Sequence, residues 1–202
     1  MNSYNLENKN SNYFFKILDF WFQNPIDFEK WFMSKKKYDK FIKNHFLKIL
    51  NEAEKGNYLE WLSYPKSYLA MIILLDQFSR HIYRDTYKAY QNDEKALLFT
   101  EMGLDIHLNK FTAAEKMFVL MPYQHSENLD DQYFGVKMLT NLIKNEKNIS
   151  ERNILKKALY HQKRHLNVIK NFGRFPKRNV YLKRESTEDE IDYIDENQQY
   201  DY

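Results

Sequence analysis

The sequence predicts an all-α protein of about eight helices arranged in antiparallel pairs. Three observations carry this. Only four Gly and four Pro punctuate 202 residues, far fewer than the tight turns of an all-β domain require. Apolar residues recur every three to four positions along most of the chain. Hydrophobic residues make up 43% of the composition and aromatics 17%, which is enough to build a core and unlike a disordered chain. Residues 1–11, "MNSYNLENKNS", read as a flexible polar tail, 12–197 as a single helical domain, and 198–202 as a loose C-terminus.

The elements follow in order. "YFFKILDFWF" places Phe14, Ile17, Leu18, Trp21 and Phe22 at helical spacing, with Pro25 beyond its end. "DKFIKNHFLKILNEAEKG" sets Phe41, Ile42, Phe46, Ile49, Leu50 and Ala53 on one face, and Gly56 is a natural C′ residue. After Pro65, "SYLAMIILLDQFSRHIYR" is apolar nearly all round at 69–75, which predicts a buried helix. "NDEKALLFTEMGLDIHL" carries acids near its start, where the helix dipole favours them.

"TAAEKMFVLM" opens with the capping-box spacing Thr112-x-x-Glu115, and Pro122 is expected to close it. Ser126 is then the predicted N-cap of a helix to about 146, with Tyr133, Val136, Leu139, Leu142 and Ile143 as its apolar stripe. Ser150 is the predicted cap of a long helix through Leu155, Leu159, Leu166 and Ile169 that ends near Gly173. Thr187-x-x-Glu190 opens a short acidic helix.

Composition also excludes chemistry. With no cysteine there are no disulfides, thiolate metal sites or cysteine nucleophiles, which suits a reducing compartment. The longest apolar run, Leu69 to Leu75, is far short of the ~20 residues that a membrane span needs. The polar N-terminus has no signal-peptide apolar region, so a cytoplasmic protein with no membrane contact is expected. His161 and His165 have the i, i+4 spacing of a metal pair, but no third ligand accompanies them; no metal and no cofactor is predicted.

The polar signals concentrate in three segments. In "LLDQFSRHIYR", Asp76, Arg80 and Arg84 form an i, i+4, i+8 row on a buried helix, with Gln77 and His81 beside it. Charges there must be paired or line a cavity. In "MPYQHSENLDDQ", His125 and Glu127 sit at a helix mouth. His125, Ser126 and Glu127 are adjacent and cannot fold back into a triad, which needs separated positions. In "FGRFPKRNVYLKR", aromatics interleave with Arg174, Lys177, Arg178, Lys183 and Arg184, while eight acids and no cation follow Arg184. Docking of the acidic tail onto this segment is expected ahead of nucleic-acid binding, since the net charge is only +3. The chain uses 24 Lys against seven Arg, yet five of the seven Arg lie in the first and third segments. A bidentate partner, carboxylate or phosphate, is the physical reason to prefer Arg there.

These landmarks, "ILDFWF", "WF" at 31–32, "LAMIILLDQFSRHIYR", "MPYQHSENLDDQ" and "FGRFPKRNVYLKRESTEDE", occur in the order of a bacterial family, domain of unknown function 924. The chain resembles that family from about Phe15 to Ile194. The resemblance implies a tetratricopeptide-like right-handed helical layer and no established activity. The matching polar positions are Asp76, Gln77, Arg80, Arg84, His125, Ser126, Glu127, Gln132, His165, Arg174, Arg178 and Asn179. His81 stands where the family usually has Asn, Lys177 where it has His, and Lys183 where it has Gly. A catalytic histidine at the position of Lys177 would therefore be missing here. No exact 34-residue repeat is present.

Three functions are open to such a chain. The first is binding of an anionic small molecule or peptide carboxylate in a pocket of Asp76, Gln77, Arg80, Arg84, His125, Glu127, Gln132, Arg174, Arg178 and Asn179. The second is a metal-independent enzyme, such as a hydrolase, with His125 or His165 as general base, Glu127 as a further catalytic candidate and the arginines stabilising a developing oxyanion. The third is a scaffold for protein–protein interaction in which the motifs join helices. The sequence does not give the oligomeric state.

Overall fold

A computed structural model of the chain describes residues 11–23, 31 and 36–197. The regular structure is all helical, nine helices with no strand among the described residues, as the periodicity predicts. Of the tail expected at 1–11, residues 1–10 lie outside the described residues and Ser11 is the first residue of a helix instead; the C-terminus expected loose at 198–202 and Phe32 of the "WF" pair also lie outside them. The chain forms two compact units, one of residues 1–84 and 88–110, the other of residues 85–87 and 111–202.

In the first unit, α1 (Ser11–Trp21) buries Ile17, Leu18 and Trp21. Trp31 returns to it, its indole N–H donating to the Trp21 carbonyl at 2.6 Å. α2 (Lys36–Glu54) buries Ile42, Phe46, Ile49, Leu50 and Ala53. Phe41 departs from the expected face: it is exposed, with its ring stacked on His45 at 4.0 Å and Phe20 at 5.2 Å. Gly56 turns the chain out of α2 at φ 89°, as its C′ placement requires.

The central element is α3, an α-helix at Pro65–Ile72 that continues through a π-helical turn at Ile73–Phe78 into Ser79–Ile82. Pro65 costs nothing in the first turn, where its missing N–H would have no helical partner. Residues Tyr68 to Leu75 are wholly buried, matching the apolar run. α4 (Asp93–His107) crosses it closely: a Cβ at Gly103 would lie 2.3 Å from the Tyr68 ring. Tyr68 satisfies its buried hydroxyl by donating to the Thr100 carbonyl at 2.7 Å.

In the second unit, α5 (Ala113–His125) starts with the complete Thr112–Glu115 capping box. Pro122 does not close it; the helix runs three residues further. Ser126 is therefore the C-cap of α5, and Asn128 caps α6 (Leu129–Asn145) by accepting from the N–H groups of Asp130 and Asp131. Ser126 instead bridges the junction, donating to Asp131 at 2.6 Å and accepting from Asn128 N–H at 3.1 Å. Likewise Asn148, not Ser150, caps α7 (Ile149–Phe172). Both corrections have one cause: an Asn two residues before its N–H partners outcompetes the nearby Ser.

α6 and α7 are joined by only three residues and pack along one another as an antiparallel pair. Their contact is closer than the apolar stripe suggests. Gln132, Gly135 and Leu139 form the buried face of α6, while Tyr133 is exposed. A Cβ at Gly135 would lie 2.8 Å from the Gln162 amide, so glycine admits that side chain. Gly173 ends α7 at φ 67°. A short α8 (Asn179–Leu182) and α9 (Glu188–Glu196), opened by the Thr187–Glu190 capping box, complete the unit.

Candidate functional site: two arginine–carboxylate clusters

The first cluster lies where α3 meets α2 and α4. The π turn contains Asp76, which is fully buried and accepts from Gln77 Nε2 at 2.6 Å. Arg80 comes within 3.6 Å of Asp76, but its fork engages Asp93 at the start of α4, at 2.9 and 3.1 Å. It also donates to the Ala89 carbonyl at 3.0 Å. Burial opposes its charge, but the carboxylates of Asp93 and Asp76 raise its pKa above the ordinary arginine value. Arg84 makes a similar fork to Asp39 of α2, at 2.6 and 3.0 Å. His81 Nδ1 donates to the same carboxylate at 2.7 Å. Burial would push the Asp39 carboxyl up, but the His81 and Arg84 hydrogen bonds hold it down to about 2. His81 lies below its usual value because burial outweighs the pull of Asp39.

The second cluster is built on the C-terminal end of α5. A helix end exposes carbonyls that need donors. Gln132 Nε2 donates to the Gln124 and Ser126 carbonyls at 2.8 and 2.7 Å, and Arg178 donates to the His125 carbonyl at 3.0 Å. Arg178 is nearly buried, and its guanidinium lies 4.4 Å from the Phe175 ring centroid. These donors explain why α5 extends past Pro122, because one proline removes only one helical hydrogen bond.

From there a continuous chain of contacts runs outward. Glu127 accepts from Phe175 N–H at 2.8 Å and from both ends of the Arg184 fork at 2.7 and 3.0 Å. Arg184 Nε donates to Asn179 Oδ1 at 2.9 Å. Asn179 donates to Glu190 at 3.2 Å, and Arg174 grips Glu190 bidentately at 2.6 and 2.8 Å. The acidic α9 is thus docked on the basic segment, as its charge pattern predicts. Burial raises the Glu127 carboxyl, but Arg184, the Phe175 N–H and Arg178 together bring it below its usual value. Arg174 above all, against burial and with help from the Thr187 N–H and Asn179, holds Glu190 down to about 2.

His125 and His165 are both buried, with ring centroids 6.2 Å apart in an edge-to-face arrangement. His165 Nδ1 lies 2.9 Å from the His161 carbonyl. Burial first, then the neighbouring His125 and Arg178, push His165 well below its ordinary value, so it is neutral at pH 7. His161, on the same helix, is exposed. A groove of about 350 Å³ opens in this unit, lined by Tyr160, Lys163, Arg164, Asn167, Val168, Tyr193 and Asn197, none of them a predicted site residue.

The predicted residues therefore gather as two sets. Asp76, Gln77, Arg80 and Arg84 belong to the first unit; His125, Glu127, Gln132, His165, Arg174, Arg178 and Asn179 belong to the second. The sequence pattern does not single out the carboxylate partners Asp39, Asp93 and Glu190, nor Arg184 as a site residue, nor the buried Gln162, whose Nε2 donates to Gln132 Oε1 at 2.7 Å. Asp39 had a signal: it is the one acid between Lys30 and Asn51 in a Lys-rich stretch. Asp93 and Glu190 had none, because an acid in a first helical turn already looks explained by the dipole. Lys183 sits at φ 54°, a left-handed conformation that Gly adopts without strain. Lys177 donates to the Asn197 carbonyl at the end of α9, a helix-terminal role.

Among the described residues no helix is long and apolar enough to cross a membrane, and no group of three or more His, Asp or Glu is placed to hold a metal ion. Fold and clusters define an all-α protein whose strongest motifs join its own helices through arginine–carboxylate pairs. The chain belongs to the bacterial proteins of unknown function called DUF924, whose family model matches residues 17–198. It is similar in structure to ATU0120, a protein of unknown function from Agrobacterium tumefaciens. The two share 27% identity, with a TM-score of 0.81 and coverage of 93% of this chain and 99% of that one. No curated protein matches the chain.

Proposed function

We propose that this protein is a helical interaction scaffold of tetratricopeptide-like, layered helices, working in the cytoplasm. In this reading the motif arginines clasp the chain's own elements, and a partner binds elsewhere. One observation carries it: Arg80, Arg84, Arg174 and Arg184 each direct a bidentate fork at a carboxylate of the same chain, namely Asp93, Asp39, Glu190 and Glu127. A fork already filled would have to break a paired, partly buried contact before it could take an external anion.

The test is a thermal-shift comparison with phosphate, citrate and a short peptide bearing a free C-terminal carboxylate. Wild type is compared with the Glu127→Leu/Arg184→Met double variant. The scaffold reading expects Tm to stay unchanged with all three ligands in both proteins. A ligand at a hundred times its Kd adds about 2.7 kcal/mol of stability. A rise in wild-type Tm that disappears in the double variant would instead make the arginines a binding site.

A second reading, an anionic small-molecule binder, is favoured by the 350 Å³ groove, where Lys163 and Arg164 stand beside Tyr160 and Tyr193. It places the anion in that groove, away from the motif arginines. In the same ligand series, stabilisation lost in Lys163→Ala and kept in Glu127→Leu/Arg184→Met is its expected signature.

A further inference from the structure

α4 is buried on one side and openly apolar on the other. Ala96, Phe99, Thr100, Gly103, Leu104 and His107 face the core. Leu98, Met102 and Ile106 recur every four residues and are 53%, 58% and 62% exposed. At 100° per residue, positions four apart drift by only about 40°, so these three side chains form one stripe over more than two turns. Isolated apolar residues on a surface are ordinary; an aligned row on a helix with a well-packed back is the pattern of a contact surface.

The stripe has a charged edge. Glu94, Glu101 and Asp105 are exposed and fall, by the same helical geometry, along one side of it. None of the three has an ion-pair partner among the described residues, in contrast to the carboxylates of both clusters. At the C-terminal end of α4, His107 Nε2 lies 3.0 Å from the Leu62 carbonyl. That contact brings the 3₁₀ turn Leu59–Ser63, with its half-exposed Leu59, to the same end of the helix.

We propose that this face of α4 docks a cationic amphipathic helix of a partner protein. Apolar residues of the partner, at i and i+4 spacing, would lie on Leu98, Met102 and Ile106, and lysines or arginines along one edge would meet Glu94, Glu101 and Asp105. The free acidic edge selects this occupant. It repels an anionic lipid surface or an acidic segment, and an apolar stripe is how helices read one another in helix-in-groove recognition. The inference rests on the scaffold reading and supplies its binding surface.

The test uses the full chain and two synthetic amphipathic peptides with the same leucine stripe, one edged with lysines and one with glutamates. Binding is measured by isothermal titration at low and high salt. The lysine peptide is expected to bind wild type, more weakly at high salt, and to lose about tenfold or more in affinity with Met102→Asp. Glu101→Lys with Asp105→Lys is expected to shift preference to the glutamate peptide. Fluorescence of the buried Trp21, Trp31 and Trp61 verifies that each variant stays folded, as expected for substitutions at the exposed positions 101, 102 and 105.

Equal binding of the lysine peptide to Met102→Asp and wild type overturns the proposal, as does equal binding of the two peptides to wild type. Self-association of wild type that Met102→Asp abolishes, seen by sedimentation, also overturns it and makes a second copy the occupant. Those failures leave the scaffold reading standing, because it falls only to anion stabilisation through the motif arginines.

Discussion

The two arginine–carboxylate clusters use the same fork chemistry for different tasks. In the first unit, the forks of Arg80 and Arg84 leave one continuous buried helix and reach carboxylates on two others, Asp93 and Asp39. Their partners are 54 residues apart in sequence, so the pairs fix the register of three helices at once. In the second unit, the Arg174 and Arg184 forks come from irregular chain before and after the short α8, and with Glu127, Asn179 and Glu190 they secure that chain against helix ends. One cluster orders core helices; the other terminates them. Losing a carboxylate therefore leaves a charge stranded against the core in the first case, and frees a peripheral segment in the second.

Asp39→Ala gives the sharpest contrast. It removes the acceptor of both Arg84 and His81, and breaking a buried pair from one side costs about 3 kcal/mol. All three tryptophans, Trp21, Trp31 and Trp61, belong to the first unit, so the unfolding free energy from urea titration read by tryptophan fluorescence should fall by that amount. Adding Arg84→Met should recover much of the loss, since an apolar pair needs no partner. A single variant as stable as wild type would mean that the Asp39 cluster orders nothing.

Acid should weaken both clusters. The carboxyls of Asp39 and Glu190 sit at about 2 in the folded protein against roughly 4 in an unfolded chain. Their contribution is present above that unfolded value and is lost as pH falls toward 2. His81 and His165 are also lowered, from 6.5. Their neutral forms stabilise the fold fully above pH 6.5, and that part is lost as pH falls below it. Stability should thus decline in stages, first below pH 6.5 and then below about 4. Circular dichroism reads both units and tryptophan fluorescence reads the first. A stability that rises from pH 7 to pH 5 would contradict the assignment.

The smallest effect expected is a gain. Lys183 holds a left-handed φ of 54°, and this turn delivers Arg184 to Glu127. A left-handed conformation costs a residue with a Cβ about 1 kcal/mol, offset in part by the greater unfolded-state freedom of glycine. Lys183→Gly should raise the unfolding free energy from urea titration by about 0.5 kcal/mol, seen by circular dichroism in the second unit. A loss would show that the lysine side chain has a contact more valuable than the backbone relief.

Much of this was legible in residue patterns. The capping boxes at Thr112 and Thr187 rest on two residues at a fixed spacing, and both form as read. The buried run at 69–75 and the glycine ends at Gly56 and Gly173 are equally local. Errors came where a distant group changed a local preference. Pro122 should stop a helix, but Gln132 and Arg178 supply donors for the carbonyls beyond it. Tyr133 looked like core and is exposed, because the close approach of Gln162 at Gly135 turns Gln132 inward instead.

The sequence by itself determined the helical class, most helix ends and the concentration of arginine into two segments, since each depends on neighbours within a few positions. Tertiary structure decided which carboxylates the arginines pair with. A guanidinium seeks any carboxylate within reach, and whether that carboxylate is Asp39, Asp93, Glu127 or Glu190 depends on which helices pack together. Packing also left the α4 stripe open: Leu98, Met102 and Ile106 carry the periodicity of a core face, and only the burial of the opposite side shows that they face outward.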